Sequence, residues 1–368
     1  MTSGVILVLV AVLCGISCAL AGIFLVLRKM AMTADAISHA ILPGLLAGYV
    51  LANGPSLWAG MLGAVAAGLL TVWLIELLVR SNRVREDSAI GLVFPAMFAL
   101  GVALISKFYS NVHIDTDAVL YGEIAFAPFD TLQLGGKDYG PQSIWILGVL
   151  TLVNGAFVAL FFKELKAATF DPDFAMSAGI KTRMLRFGLL TVVTVTTVGA
   201  FSAVGAILTV GFIVTPMAAA LLLSYRLPAV IGIAIAISVI CSFAGVQSAM
   251  AMDVSISGLI AVFLGIAFLL AMLFSPMSGI LAMAFRRKKL QQKFAVDTLI
   301  VHLFAHEGTE NEAEESEAEH LSSELGWRPD RASAIMKRAE SEGLIHVESG
   351  RLILTPSGRS IALEVSQI

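Results

Sequence analysis

The chain has 368 residues, of which 58% are hydrophobic and 14% charged, and its formal net charge is -3. A soluble domain carries roughly 45–50% apolar and about 25% charged residues, so a purely soluble enzyme is excluded, and the near-neutral balance points to no polyanionic partner. The apolar excess is gathered into runs of about 18–25 residues, the length a helix needs to cross a bilayer.

In chain order, candidate spans cover 4–27, 36–53, 58–79, 88–106, 141–162, 187–201, 203–224, 228–250 and 256–274. The sixth and seventh are crowded. They read either as two short crossings or as one long helix with a re-entrant piece, so eight or nine segments are expected. The first run starts almost at Met1, has no basic residue before it and exceeds a signal h-region in length; it reads as a first span. Basic residues sort by side. Arg28 and Lys29, Arg80 to Arg85, Lys163 to Arg186, Arg226, and Arg286 to Lys289 all follow odd-numbered spans, whereas the opposite loops hold only Lys107 and Lys137. The first side is therefore read as cytoplasmic, and the C-terminus lies on it. Cys14, Cys18 and Cys241 fall in apolar runs and read as small packing residues, with Cys14 and Cys18 four apart on one helix face.

Beyond residue 290 the character changes. An acidic stretch, Glu310 to Glu319, is followed by a compact pattern. Helices are expected at Leu299 to His306, His320 to Gly326 and Pro329 to Gly343, then a hairpin over His346 to Leu354 around Ser349-Gly350. The expected architecture is an all-α polytopic membrane protein with a small C-terminal winged-helix domain. Its domains are a membrane part at 1–285, a basic then acidic linker with the first tail helix at 286–319, and the rest of the tail at 320–368.

The segment richest in chemistry is Arg28 to Tyr49. Asp35 and His39 stand four apart and share one helix face. A carboxylate and an imidazole suit manganese, iron or zinc, and ionisable groups inside a membrane usually mark a pathway. Pro43 and Gly44 can break the helix and expose backbone carbonyls to a cavity. The same spacing also fits a cap at the interface, with His39 packed behind Asp35. His113, Asp115 and Asp117 on the outer side read mainly as a solvated loop. In the tail, His302, His306 and His320 beside Glu307 are possible metal ligands, although surface polar residues account for them as well.

The order Asp35, Ser38, His39, Ala40, Pro43, Gly44 resembles the Asp-x-x-Ser-His-Ala-x-x-Pro-Gly signature of permease subunits of zinc/manganese/iron ABC importers. Glu86 to Gly91, Asp117 to Phe126, Lys163 to Gly179 and Gly205 to Leu223 resemble further segments of that family in the expected order, covering about residues 1–285. One departure is the run from Pro216 to Ala220, which lacks the family's Thr. Glu340 to Ile345 and Leu354 to Gly358 match a helix-to-wing pattern, and on them the tail resembles the winged-helix domain of metal-dependent repressors.

The resemblance implies a permease subunit of an ATP-driven importer of manganese, zinc or iron, with Asp35 and His39 as ligands in the path. Asp253, between the eighth and ninth spans, is a further metal candidate, read equally as a loop carboxylate. No cofactor is held permanently; the divalent metal is cargo. The implied partners are a cytoplasmic ABC ATPase, an extracytoplasmic metal-binding protein, a second permease (identical or related) and membrane lipid, with the protein in the inner membrane. The chain is not read as an enzyme. It has no G-x-x-x-x-G-K-[ST] loop, so ATP hydrolysis is expected in a separate chain. Nucleic acid is not an expected partner, because the tail from Gln291 has seven Lys/Arg against fourteen Asp/Glu. An ion-gradient-driven secondary transporter and a membrane-tethered metal-responsive regulator are the alternative readings.

Overall fold

The computed structural model describes residues 3–52, 54, 56–81, 83–108, 124–134, 137–317, 320, 325–348 and 350–366. Two compact units emerge, Met1–Gly279 and Ile280–Ile368. In the first, α1 (Ser3–Leu27) is followed by α2 (Ala31–Ala40), α3 (Leu42–Leu51), α4 (Leu57–Arg80) and α5 (Glu86–Phe108). A short antiparallel pair, β1 (Thr131–Leu134) and β2 (Lys137–Pro141), precedes α6 (Gln142–Leu160). Then come α7 (Phe162–Phe170), α8 (Pro172–Ser177), α9 (Thr182–Val204), α10 (Ala206–Leu223), α11 (Leu227–Met252) and α12 (Ile256–Phe274). Among the described residues, nine helical segments are long and apolar enough to cross a membrane, with α2 and α3 together forming the second.

Helix α1 is apolar all round, as a helix must be when every side is covered by protein. It packs against α6, α9, α10 and α11 and buries both Cys14 and Cys18, whose Sγ atoms lie 4.0 Å apart. In hydrocarbon there is no hydrophobic drive between helices, so close approach and polar bonds hold them together. Both occur here. A Cβ on Gly44 of α3 would fall 2.0 Å from the Gly63 carbonyl oxygen of α4, and one on Gly48 would fall 2.2 Å from that of Ala59. Fully buried Asn154 of α6 donates to the Ser17 carbonyl at 2.9 Å and to Thr196 Oγ1 at 2.8 Å, joining α6, α1 and α9.

The crowded sixth and seventh segments are two separate helices. Gly205 divides them with φ 85, a conformation that a β-carbon disfavours. The carbonyls at the break are met: Thr209 Oγ1 donates to Gly205 at 2.7 Å, and Ser257 Oγ to Val204 at 3.0 Å.

The second unit comprises α13 (Ile280–His306), the single turn α14 (Glu312–Glu315), α15 (Pro329–Ser341), the hairpin β3 (Ile345–Glu348) and β4 (Arg351–Leu354), and α16 (Pro356–Ser366). Leu299 to His306, expected as a short helix of its own, is the end of a much longer one. No Gly or Pro interrupts 280–306, and its Ala, Leu, Lys, Arg and Gln all favour helix. Most of the expected helix at His320 to Gly326 lies outside the described residues. The core joins Leu299, Ile300 and Leu303 to Ile335 and Ala339 of α15, Leu352 and Leu354 of β4, and Ala362 of α16, an element the sequence pattern did not suggest.

Candidate functional site

The candidate site grows from the break between α2 and α3. Helix α2 ends at Ala40, and α3 restarts with Pro43 in its first turn. Proline has no N–H to give to the carbonyl of His39, four residues back, so the helical ladder cannot run through this point. Gly44 completes the device, because only glycine lets α3 press against the backbone of α4 here.

Asp35 and His39 sit on α2 just before this break. His39 Nε2 lies 3.6 Å from Asp35 Oδ1. An ion bound about 2.1 Å from each donor would reach both, since twice that bond length exceeds their separation. The His39 ring packs against α5, with its centroid 5.5 Å from Phe94 and 6.4 Å from Phe98, the latter edge-on. Phe94 and Phe98 lie roughly 12 and 18 Å along α5 from its start at Glu86, so the imidazole packs against the middle turns of a helix long enough to cross a layer of about 30 Å. The two side chains stay 40% and 34% exposed in the single chain, so the pair is open on one side. Neighbouring Ser38 is turned away, with its hydroxyl donating to the Ala34 carbonyl at 3.0 Å.

Asp253 is not brought to this pair. It closes the end of α11 with φ 54 and ψ 49 and is exposed. Met250, one turn earlier, lies against Gly4 at the start of α1. The pair follows the other end of α1, a helix of 25 residues and so about 37 Å long. Nor does Asp253 cap the next helix, because Ser255 does that by accepting from the Gly258 N–H. His113, Asp115 and Asp117 fall outside the described residues.

A second polar group, not singled out from the sequence, gathers where Arg28 and Lys29 follow α1. Arg186 Nη2 of α9 reaches Glu76 Oε2 of α4 at 3.4 Å and Glu86 Oε1 of α5 at 3.3 Å. Arg80 also holds Glu76, and Arg28 Nε donates to Thr169 Oγ1 at 3.1 Å. Burial, then the neighbouring Arg186, pushes the Arg28 guanidinium down from its usual value. These residues line a cavity of about 840 Å³. The Arg186, Glu76 and Glu86 charges link the ends of three helices and form a structural clasp, with Arg186 set one turn inside α9 and its partners partly shielded from solvent. Phe94 and Phe98 were also missed, because apolar residues in an apolar span carry no chemical label.

Over residues 5–275 the sequence matches the ABC 3 transport family. It is similar to "Zinc transport system membrane protein TroD" of Treponema pallidum, with 40% identity over 96% of each chain. It is 39% identical to "Manganese transport system membrane protein MntD" of Bacillus subtilis, over 77% of this chain and 96% of that one. Identity to "Chelated iron transport system membrane protein YfeC" of Yersinia pestis is 31%, over 76% and 88%. Among solved structures, a chain of "PsaBC from Streptococcus pneumoniae in complex with Fab" superposes with a TM-score of 0.64 at 25% identity, over 77% of this chain and 96% of that one.

Proposed function

The chain belongs to the ABC 3 transport family, and from that membership we propose that it is the membrane permease subunit of an ATP-driven importer for manganese, zinc or iron. The observation that carries the reading is the Asp35–His39 pair beside a helix break in the second span. Oxygen and nitrogen donors 3.6 Å apart suit a divalent first-row cation. Two protein ligands hold cargo without trapping it, since a transport site must also release. Water, or a second permease facing this one, completes the shell. Asp253 stays outside this ligand set.

The driving ATPase is assigned to a separate chain. The loop helices α7 and α8 offer it a surface, with Phe170, Phe174 and Met176 each more than half exposed. The relatives named for zinc, manganese and iron transport support the cargo class. An extracytoplasmic metal-binding protein delivers the ion on the other side. The tail is read as a cytoplasmic winged-helix domain that regulates through protein contact or metal sensing; its helices and hairpin support this, and its acidic balance disfavours DNA.

The experiment is reconstitution in sealed vesicles with and without the co-purifying ATPase. Metal accumulation should require both the ATPase and ATP. Uptake by the chain alone, driven by an ion gradient, would overturn the reading in favour of a secondary transporter.

A further inference from the structure

The tail contains a second group of metal-type ligands, and it does not depend on the transport reading. His302 and His306 stand four apart on the last turns of α13, with ring centroids 4.7 Å apart. Glu315, at the end of α14, lies over them: its Oε2 is 3.3 Å from His302 Nε2 and 3.5 Å from His320 Nε2. One ligand atom from each of His302, His306 and Glu315 falls within 4.8 Å of the others. Glu307, the carboxylate nearest these histidines in sequence, is taken by Arg359 at 2.8 Å.

Three features separate this group from surface histidines. First, its centre is largely shielded, with only 12% of the His302 side chain and 15% of Glu315 exposed, while His320 at 28% closes the outer side. Second, it is unsatisfied: among the described residues His302 Nε2 and Glu315 Oε2 are buried atoms without a hydrogen-bond partner, although they face each other. A shielded carboxylate is unfavourable unless it is paired, and the partners Glu315 has here are imidazoles. Third, the spacing fits. Donors bound at about 2.0–2.1 Å to a tetrahedral ion sit roughly 3.4 Å apart, which matches both contacts of Glu315.

Backbone links hold the frame. The Leu352 N–H donates to the Ser316 carbonyl at 2.9 Å, and Glu317 forms an antiparallel bridge with Arg351, which pins the residues after Glu315 to β4. A cavity of about 380 Å³ opens onto His306 and Glu315, and its wall carries Glu310 and Glu312 together with the single cation Arg351, which leaves acidic groups in the majority.

We propose that His302, His306, Glu315 and His320 bind one divalent cation of the zinc class, clamping the end of α13 to the acidic segment. Three imidazoles and one carboxylate select borderline cations over calcium or magnesium. This site is distinct from the Asp35–His39 pair and belongs to the other unit.

The test uses the full chain in detergent, stripped with chelator and titrated with zinc against a chromophoric competitor. The Asp35→Ala/His39→Ala variant should retain one tight equivalent. His302→Gln/Glu315→Gln should lose it, with affinity down by at least about 100-fold, and His320→Gln should weaken it by a smaller factor. Zinc should also protect the 307–328 segment from protease in the first variant and not in the second. The proposal is overturned if His302→Gln/Glu315→Gln binds zinc as the parent does, or if the Asp35→Ala/His39→Ala chain holds no tight equivalent. His320→Gln guards against misfolding, because that milder change in a partly exposed side chain must still lower affinity.

Discussion

The two units handle polar groups in opposite ways. In Met1–Gly279 charge is scarce within the spans, and helices are joined by backbone approach at Gly44 and Gly63 and by neutral bonds such as those of Asn154. In Ile280–Ile368 charge is plentiful, and a small apolar core is ringed by ion pairs such as Arg359–Glu307 and Arg338–Glu342. A carboxylate therefore means something different in each. In the membrane unit, where an ionisable group is expensive, Asp35 beside His39 is informative from its residue type alone. In the tail a glutamate becomes informative only when the fold shows it buried with histidines.

That contrast predicts a ranking of substitutions. The largest effect belongs to Gly44→Leu, which places a side chain against the Gly63 backbone. Folded yield should collapse, equivalent to about 3 kcal/mol or more, when followed by size-exclusion of the detergent-solubilised chain. Gly91→Ala, with no atom within 4 Å of the added carbon, is the control and should be neutral or mildly stabilising. Next comes Asn154→Leu, which removes the bonds to Ser17 and Thr196. A loss of about 1–2 kcal/mol is expected in thermal denaturation in detergent, and no loss would mean that polar bonds do not tie α6 to α1. The smallest effect belongs to the tail. Arg359→Gln breaks a half-exposed pair with Glu307, and its cost should stay below about 1 kcal/mol and shrink further in molar salt. A larger, salt-insensitive loss there would erase the distinction between the units.

The same contrast explains what could be read in advance. The spans and the Asp35–His39 pair were legible because hydropathy and four-residue spacing are local properties. The broken second span was legible from Pro43. The split at Gly205 was not, since a glycine between two apolar runs fits a kink, a re-entrant turn or a chain break equally until its φ is known. The packing of His39 on Phe94 and Phe98 depends on the register of α2 against α5, which no local pattern records. Glu315 is one of seven glutamates between 307 and 319, so its partnership with His302 needed coordinates to distinguish it from Glu307.

The proposed role of Asp35 and His39 is to handle the cargo ion. Its most direct test is radiolabelled manganese or zinc uptake in cells lacking other importers, comparing the parent chain with Asp35→Ala and His39→Ala at equal membrane levels. Uptake should fall to background in both variants, while a control change such as Gly91→Ala leaves it intact. Undiminished uptake in either variant would remove that side chain from the ion's path.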